Sequence, residues 1–499
     1  MKIPRIIPSV MFSQHPDHAG TPFWHHQPFI ETHHEVEECY RMFNELGAEE
    51  VMGDWEGKLA DESVVERLLG TYPGFFRKQP LGRDLFLTFR VPNPRLESGY
   101  RLARTYMVIL WSQHLAREHG LASLPLFEVI LPMVESGREI LNIQKNFQRL
   151  AKAAAASFEH RPAAPQTIEV IPTFESVGTL LQSRELLRHY LRLYHKTFNA
   201  KPPYLRPFCA RSDPALNSGI VATTLAIKRA LSDYVKLSRE TGIPCYPIIA
   251  PGALPFRGGL TPRTAEAFAA EFGGVRTVVI QSSFRYDYPQ PEVKKAIVKL
   301  KHMIPHTKTA VMSRHTEHDV AEIMPWFEKP YRKTVEQTAH LITAISRSIP
   351  QRRERILHIG LFGYSRQLGK VKLPRAIGFT ASCYSLGLPP ELFGLGPGLI
   401  KTRREKKIPL LERWYQTFRP SLVRAGRYVR KESLQELGLD KLTRDIEAVE
   451  EYLGEPLGPR TKAEQEHAKL VKKIITAMKR GQHPEQEITE AALLRKSLG

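Results

Sequence analysis

The sequence predicts an α/β chain of the (β/α)8 barrel class, carrying a large helical C-terminal elaboration. Two observations support this. Short apolar, β-branched runs recur roughly every forty residues through the first three-fifths of the chain, eight in all, with longer amphipathic stretches between them. Each run stops at a charged or small polar cluster, and a parallel barrel places its chemistry at the C-terminal ends of its strands.

The runs are read in order. IIPSVMFS ends at His15, within FSQHPDHAG, where Pro16 biases the histidine toward an extended conformation, so that its imidazole projects from a strand end and not from a helix. AEEVM runs into Asp54, DLFLTF into Arg90, and FEVILPM stops at Glu135. TIEVIPTF ends at Glu175, and LRPFCA at Arg211 and Asp213. CYPIIA opens onto the glycine-rich loop PGALPFRGG, which carries Arg257, and VRTVVI ends at Arg285. HRPAAPQ, residues 160–166, has linker composition but falls where a helix must return to the fifth strand. Beyond about residue 290 the period is lost and the pattern turns helical, apart from the extended segment ERILHIGLFGYSRQLG, whose glycines suggest close approach of backbone to something. The chain therefore divides into a barrel, residues 1–290, carrying the metal and most site residues, and a mainly helical extension, residues 291–499, packed on it.

A chain of 499 residues that is 42% hydrophobic and 25% charged can bury a large core, which excludes disordered and fibrous classes. No window is apolar enough to span a bilayer, and MKIPRIIPSV lacks the features of a signal peptide, so a soluble, cytoplasmic protein is expected. Cys39, Cys209, Cys245 and Cys383 show no C-x-x-C spacing and read as reduced thiols. A net charge of +20 invites a nucleic-acid reading, centred on KTRREKK (401–407) and the arginines after it, interleaved with Trp414, Tyr415, Phe418 and Tyr428. No nucleic-acid-binding motif accompanies that stretch, so its aromatics are expected against a core or subunit contact and its cations in solvent. His25, His26, His33 and His34 read as loop or surface residues whose spacing matches no zinc motif.

Glu175 and Asp213 end successive runs, one β/α unit apart, which makes them neighbours on one rim. Two such carboxylates suit Mg2+ or Mn2+, hard cations that leave coordination positions for substrate oxygens. Arg90, Arg211, Arg257 and Arg285 close other runs and outnumber these carboxylates, so an anionic substrate, phosphate or carboxylate, is the natural partner. The GALPFRGG loop is able to fold over such an anion, its glycines permitting a closing motion.

The segments SQHPD, DWEGK, LTFRVPNP, EVILPM, RPFCARSDPALNSG, LPFRGGL, SSFRYDY and PRAIGFTASCYSLGLPPELFG, in this order, resemble the archaeal-type, short-form phosphoenolpyruvate carboxylases. The resemblance runs from about Pro4 to at least Gly396. It implies a barrel with added helices, assembled as a homotetramer, that joins phosphoenolpyruvate and bicarbonate irreversibly into oxaloacetate and phosphate through carboxyphosphate and an enolate, with Mg2+ as cofactor. It also implies roles. Glu175 in IPTFE and Asp213 in ARSDPALN resemble the metal ligands; His15 in QHPD resembles the histidine proposed to deprotonate carboxyphosphate and then hold carbon dioxide. Arg90, Arg257, Arg366 in GYSRQ and Arg375 in PRAIG resemble the catalytic, substrate-holding arginines, the last two supplied by the helical extension.

Gly53 departs from the tryptophan common before DWEGK-type segments, and Ser218 from an aromatic after Asn217; neither carries the implied chemistry. Two other classes remain open at this point: a different metal-dependent barrel enzyme acting on a phosphoenolpyruvate- or pyruvate-like anion, and a basic nucleic-acid-binding protein.

Overall fold

All eight apolar runs form strands, and these close into one parallel barrel in sequence order. They are β1 (Val10–Ser13), β2 (Glu50–Asp54), β3 (Phe86–Arg90), β4 (Glu128–Leu131), β5 (Glu169–Phe174), β6 (Phe208–Ala210), β7 (Ile248–Ala250) and β8 (Thr277–Ile280). β8 pairs with β1 to complete the ring. The computed structural model describes residues 6–55, 60–97, 100–158, 167–354, 366–368 and 371–499. HRPAAPQ, the EGK of DWEGK and most of the extended glycine-containing segment lie outside the described residues.

Alternation along the strands sends every second side chain inward. Met11, Met52, Ile130, Ile171, Phe208, Ile248 and Val279 fill the bore as a dry apolar layer. Below it, at the N-terminal ends of the strands, lies a polar floor. Arg206 donates to Glu50 at 2.7 Å, to Glu128 at 2.6 Å and to Thr277 at 3.1 Å. None of these three charged side chains is more than 2% exposed, so each carboxylate is held by the guanidinium rather than by water. The bore is thereby plugged from beneath, and a ligand can enter only from the C-terminal rim.

Beyond β8 the chain is mostly helical, as its pattern predicts. A long helix, Arg314–Ser346, lies along the helix that follows β6, Ser212–Thr241. Arg366–Leu368 and Val371–Leu373 form an antiparallel ribbon, the one extended exception among the described residues. In the basic stretch, Trp414, Tyr415 and Phe418 are buried while Arg413 and Arg419 face solvent, so these three aromatics are core and cannot stack on bases. Among the described residues no helix is long and apolar enough to cross a membrane.

Both departures from the short-form pattern are accommodated. A Cβ on Gly53 would lie 2.9 Å from the ring of Phe89, which fills that space. Ser218 is buried and donates to Glu328 at 2.8 Å.

Candidate active site

A cavity of about 440 Å³ opens at the C-terminal rim. Its wall comes partly from strand ends and partly from the 346–353 and 374–378 segments of the helical extension. His15, Arg90, Glu175, Arg211, Asp213, Arg257 and Arg375 all line it. Six of these, all but Arg375, close apolar runs in the linear pattern and meet in one space because parallel strands bring their C-terminal ends to the same edge, while Arg375, expected from the resemblance, comes from the helical extension.

Each side chain is positioned by its neighbours. His15 follows β1, and its Nδ1 lies 2.9 Å from Ser13 Oγ, which orients the ring. Glu175 follows β5 and accepts at Oε1 from the N–H of Met133 at 3.1 Å. Met133 holds φ at 52°, a left-handed conformation unfavourable for its residue type, and this strained turn aims its N–H at the carboxylate. Asp213 lies on the short first segment of the Ser212–Thr241 helix, which breaks at Gly219 (φ 76°, ψ 172°). Only glycine fits there: the backbone is left-handed, and a Cβ would lie 3.0 Å from the ring of Tyr331. The Tyr331 hydroxyl donates to Leu216 O at 2.9 Å and fixes the segment that carries Asp213.

The arginines divide into kinds that the linear pattern does not distinguish. Arg90 is directly opposite Asp54 in the β2–β3 register and is paired with it through two hydrogen bonds, at 2.9 and 2.7 Å. It lines the cavity with a carboxylate already beside it. Arg211 donates to Phe256 O at 3.0 Å and to Thr224 Oγ1 at 3.3 Å, and so braces the loop that carries Arg257. Arg375 is half-buried at the start of helix Ala376–Ser385. Arg285, expected at the substrate, is absent from the cavity wall. It is fully buried against Glu38, Ser13 O and Ile280 O, with Phe12 and Tyr286 rings 5.5 and 5.0 Å from its guanidinium. Its partner Glu38 comes from the first helix, Glu35–Asn44, and also accepts from Arg353 at 2.7 Å. Arg366 begins the ribbon, and its side chain lies outside the described residues.

Arg257 lines the cavity and is almost wholly enclosed. Its side chain is 2% exposed, and it reaches Asp17 Oδ2 at 3.0 Å, Ser212 Oγ at 3.0 Å, Gln281 Oε1 and the main-chain oxygen of Gly499. Burial pulls its pKa below the ordinary arginine value, and Asp17 opposes that. The expected closing motion of GALPFRGG meets a loop that is tied down. Gly252 N donates to Arg257 O at 2.7 Å, Leu260 N to Gly252 O at 3.0 Å, and Phe256 N to Glu391 at 2.7 Å, while Arg424 donates to Ala253 O and Gly259 O. In this structure the glycines serve a compact, hydrogen-bonded turn.

Asp17 is the residue that the sequence reading passed over. Its carboxylate is completely buried and takes Arg257 on one oxygen, and Ser282 Oγ (3.1 Å) and Ser283 N (2.7 Å) on the other. Its main-chain oxygen accepts from Leu498 N at 2.8 Å. The loop after β1, the loop after β7, the start of the helix after β8 and the 495–499 segment are thus joined at one residue. The signal was present, since Asp17 stands two residues from His15 in QHPD. Asp287 clamps the same loop, accepting from Ala19 N and Gly20 N, and burial raises its pKa to about 7. Arg352 and Arg353 also line the cavity, and Arg352 donates to His18 O and Ala19 O. Nothing in the barrel's periodicity points to them.

Glu175 and Asp213, anionic oxygen donors from adjacent strand ends on one cavity wall, are a donor set that fits Mg2+ or Mn2+, which take one or two carboxylates and keep further positions for water and substrate.

Residues 7–499 match the family model described as phosphoenolpyruvate carboxylase. Among curated relatives, the phosphoenolpyruvate carboxylase of Leuconostoc mesenteroides is 38% identical over 478 residues, covering 94% of each chain. That of Metallosphaera sedula is 37% identical, covering 99% of this chain and 100% of its own, and that of Pyrococcus abyssi is 37% identical, covering 90% and 95%. With a match that spans nearly the whole chain and passes through every strand end lining the cavity, this protein belongs to the phosphoenolpyruvate carboxylase family and is a carbon–carbon lyase.

Proposed function

We propose that the chain catalyses the Mg2+-dependent, irreversible carboxylation of phosphoenolpyruvate by bicarbonate, giving oxaloacetate and phosphate, as a cytoplasmic, anaplerotic homotetramer. The observation that carries this reading is the meeting of one histidine, two carboxylates and several arginines around a single cavity of about 440 Å³ above a plugged bore.

Glu175 and Asp213 would hold the divalent ion, which when bound supplies positive charge to substrate oxygens. Arg90 and Arg375 bind the phosphate and carboxylate oxygens, with Arg366 as a third donor in this proposal. A bicarbonate oxygen attacks phosphorus, the bond from phosphorus to the enol oxygen breaks, and carboxyphosphate and enolate remain side by side. His15, as neutral imidazole, takes the carboxyphosphate proton, releasing carbon dioxide and phosphate. The enolate carbon then attacks carbon dioxide to form oxaloacetate. Arg257, held in a dry setting by Asp17 and Gln281, places a fixed cation beside the developing charge and keeps water from protonating the enolate to pyruvate.

The test is an oxaloacetate-coupled assay with bicarbonate supplied or stripped, on the wild type and on Asp213→Asn. Turnover that needs both bicarbonate and Mg2+, and that is nearly abolished in the variant, is expected. Bicarbonate-independent consumption of phosphoenolpyruvate would instead indicate a different chemistry on a related anion, and a fully active Asp213→Asn would remove Asp213 from the site.

A further inference from the structure

Between the loop that follows His15 and the first helix, three imidazoles and a carboxylate collect at one turn, well separated in sequence from Glu175 and Asp213. One donor atom each from Glu31, His33 and His34 lies within 4.8 Å of the others. His33 Nδ1 is 3.1 Å from Glu31 Oε2, and the ring of His34 lies 3.8 Å from that of His33 and 4.5 Å from that of His25. His34 Nδ1 is buried with no hydrogen-bond partner among the described residues, an unpaired polar atom that ordinarily demands explanation.

The turn is built and held by surrounding groups. His34 N donates to Glu31 O at 3.1 Å, Thr32 N to Glu354 Oε2 at 3.0 Å, and Arg67 Nη2 to His33 O at 3.3 Å. His25 Nδ1 is 2.8 Å from Gln27 O and 3.2 Å from Gln27 N, contacts that hold its ring beside the turn.

We propose that Glu31, His33 and His34 form a second metal site, selective for a borderline divalent transition ion of the Zn2+ or Co2+ class, with water or His25 completing the shell. Imidazole nitrogens suit such ions, whereas Mg2+ prefers an all-oxygen shell. The geometry is close. Three donors no more than 4.8 Å apart can sit within about 2.8 Å of a central ion, against metal–ligand bonds of about 2.0–2.2 Å, so none needs to move inward by more than about 0.7 Å. Side-chain rotation at the half-exposed Glu31 and His33 supplies that shift. The ion would exchange with solvent, since those two ligands face it. It would also stiffen a segment tied to the cavity wall: Ile30 N donates to Arg352 O at 3.0 Å and Glu354 N to Ile30 O at 3.1 Å, on either side of the cavity-lining Arg352 and Arg353.

The experiment is a Co2+ titration of the intact enzyme in millimolar Mg2+, read by visible absorption and by Tm. One saturable equivalent per chain with a d–d spectrum of nitrogen and oxygen ligation, raising Tm, is expected. His33→Ala, on an exposed side chain, should weaken it at least about tenfold, and Glu31→Gln should weaken it too, with Mg2+-dependent turnover unchanged in both. Asp213→Asn should leave Co2+ binding intact. Unaltered affinity in His33→Ala, loss of binding in Asp213→Asn, or no saturable binding by wild type would each overturn the proposal.

Discussion

Replacing Asp17 by Asn tests whether Arg257 is set in place by a buried counter-charge. The pair is 0% and 2% exposed, so solvent cannot screen the loss. Removing one member of a buried ion pair costs about 3–5 kcal/mol, because the remaining charge is left uncompensated. Asn keeps the volume and one acceptor oxygen for Ser283 N, which argues for the lower end, about 3 kcal/mol. With an unfolding entropy of about 2.1 cal/mol/K per residue over 499 residues, that is a fall in Tm of about 3 °C. The effect on turnover should be larger in proportion. A guanidinium freed to rotate loses its fixed position beside the developing enolate charge, and kcat should fall at least about tenfold, about 1.4 kcal/mol of barrier. Initial rates against phosphoenolpyruvate and Mg2+, with thermal unfolding of the same samples, give both quantities. A kcat within about twofold of wild type would refute the argument, and Arg257 would then owe its position to Ser212, Gln281 and the main-chain oxygen of Gly499.

Arg206→Met is the matching control: it breaks the barrel floor and should cost about 3–5 kcal/mol in denaturant unfolding while leaving kcat per folded molecule unchanged. Arg257→Lys keeps charge but loses the planar fork, so kcat should fall at least about tenfold with little change in Mg2+ affinity; an unchanged kcat would dismiss the fork. His15→Asn should still cleave phosphoenolpyruvate slowly in a bicarbonate-dependent way but release pyruvate, and an undiminished oxaloacetate yield would make His15 structural. Burial alone would raise the pKa of Glu38, but Arg353 and Arg285 outweigh it and hold the carboxyl at about 2, against 4.5 as the ordinary value. Its contribution, on the order of 3 kcal/mol, is therefore present above pH 4.5 and lost as pH falls toward 2; Glu38→Gln should flatten acid unfolding in that window, and an unchanged acid midpoint would discount the pair.

Local pattern carried the strands and most of the rim. β1 through β8 are legible because a three-to-six-residue apolar run bounded by polar residues has few other uses, and the residues at their ends then share one edge. What stayed hidden depends on partners remote in sequence. Arg285 reads like Arg90 in the linear chain, each an arginine closing an apolar run. Only the fold brings Glu38 to Arg285, 247 residues away, and so removes it from the cavity. Arg352 and Arg353 were invisible for the same reason, since their contacts lie 315 or more residues back. The glycines of GALPFRGG signalled turn geometry correctly but said nothing of Glu391 and Arg424, which immobilise the loop.

The bond from Ser497 Oγ to Asp17 O spans 480 residues, and this separation governs when the enzyme becomes competent. At about 5–20 residues per second, roughly 25–100 s of synthesis separate its two ends. Even after β8 has emerged, Arg257 still lacks a complete set of contacts, since Gly499 O is among them. Maturation should therefore pass through a folded but inactive species, with protected barrel amides and exchangeable amides in the loop after β1. Activity would appear only as the last helical layer docks.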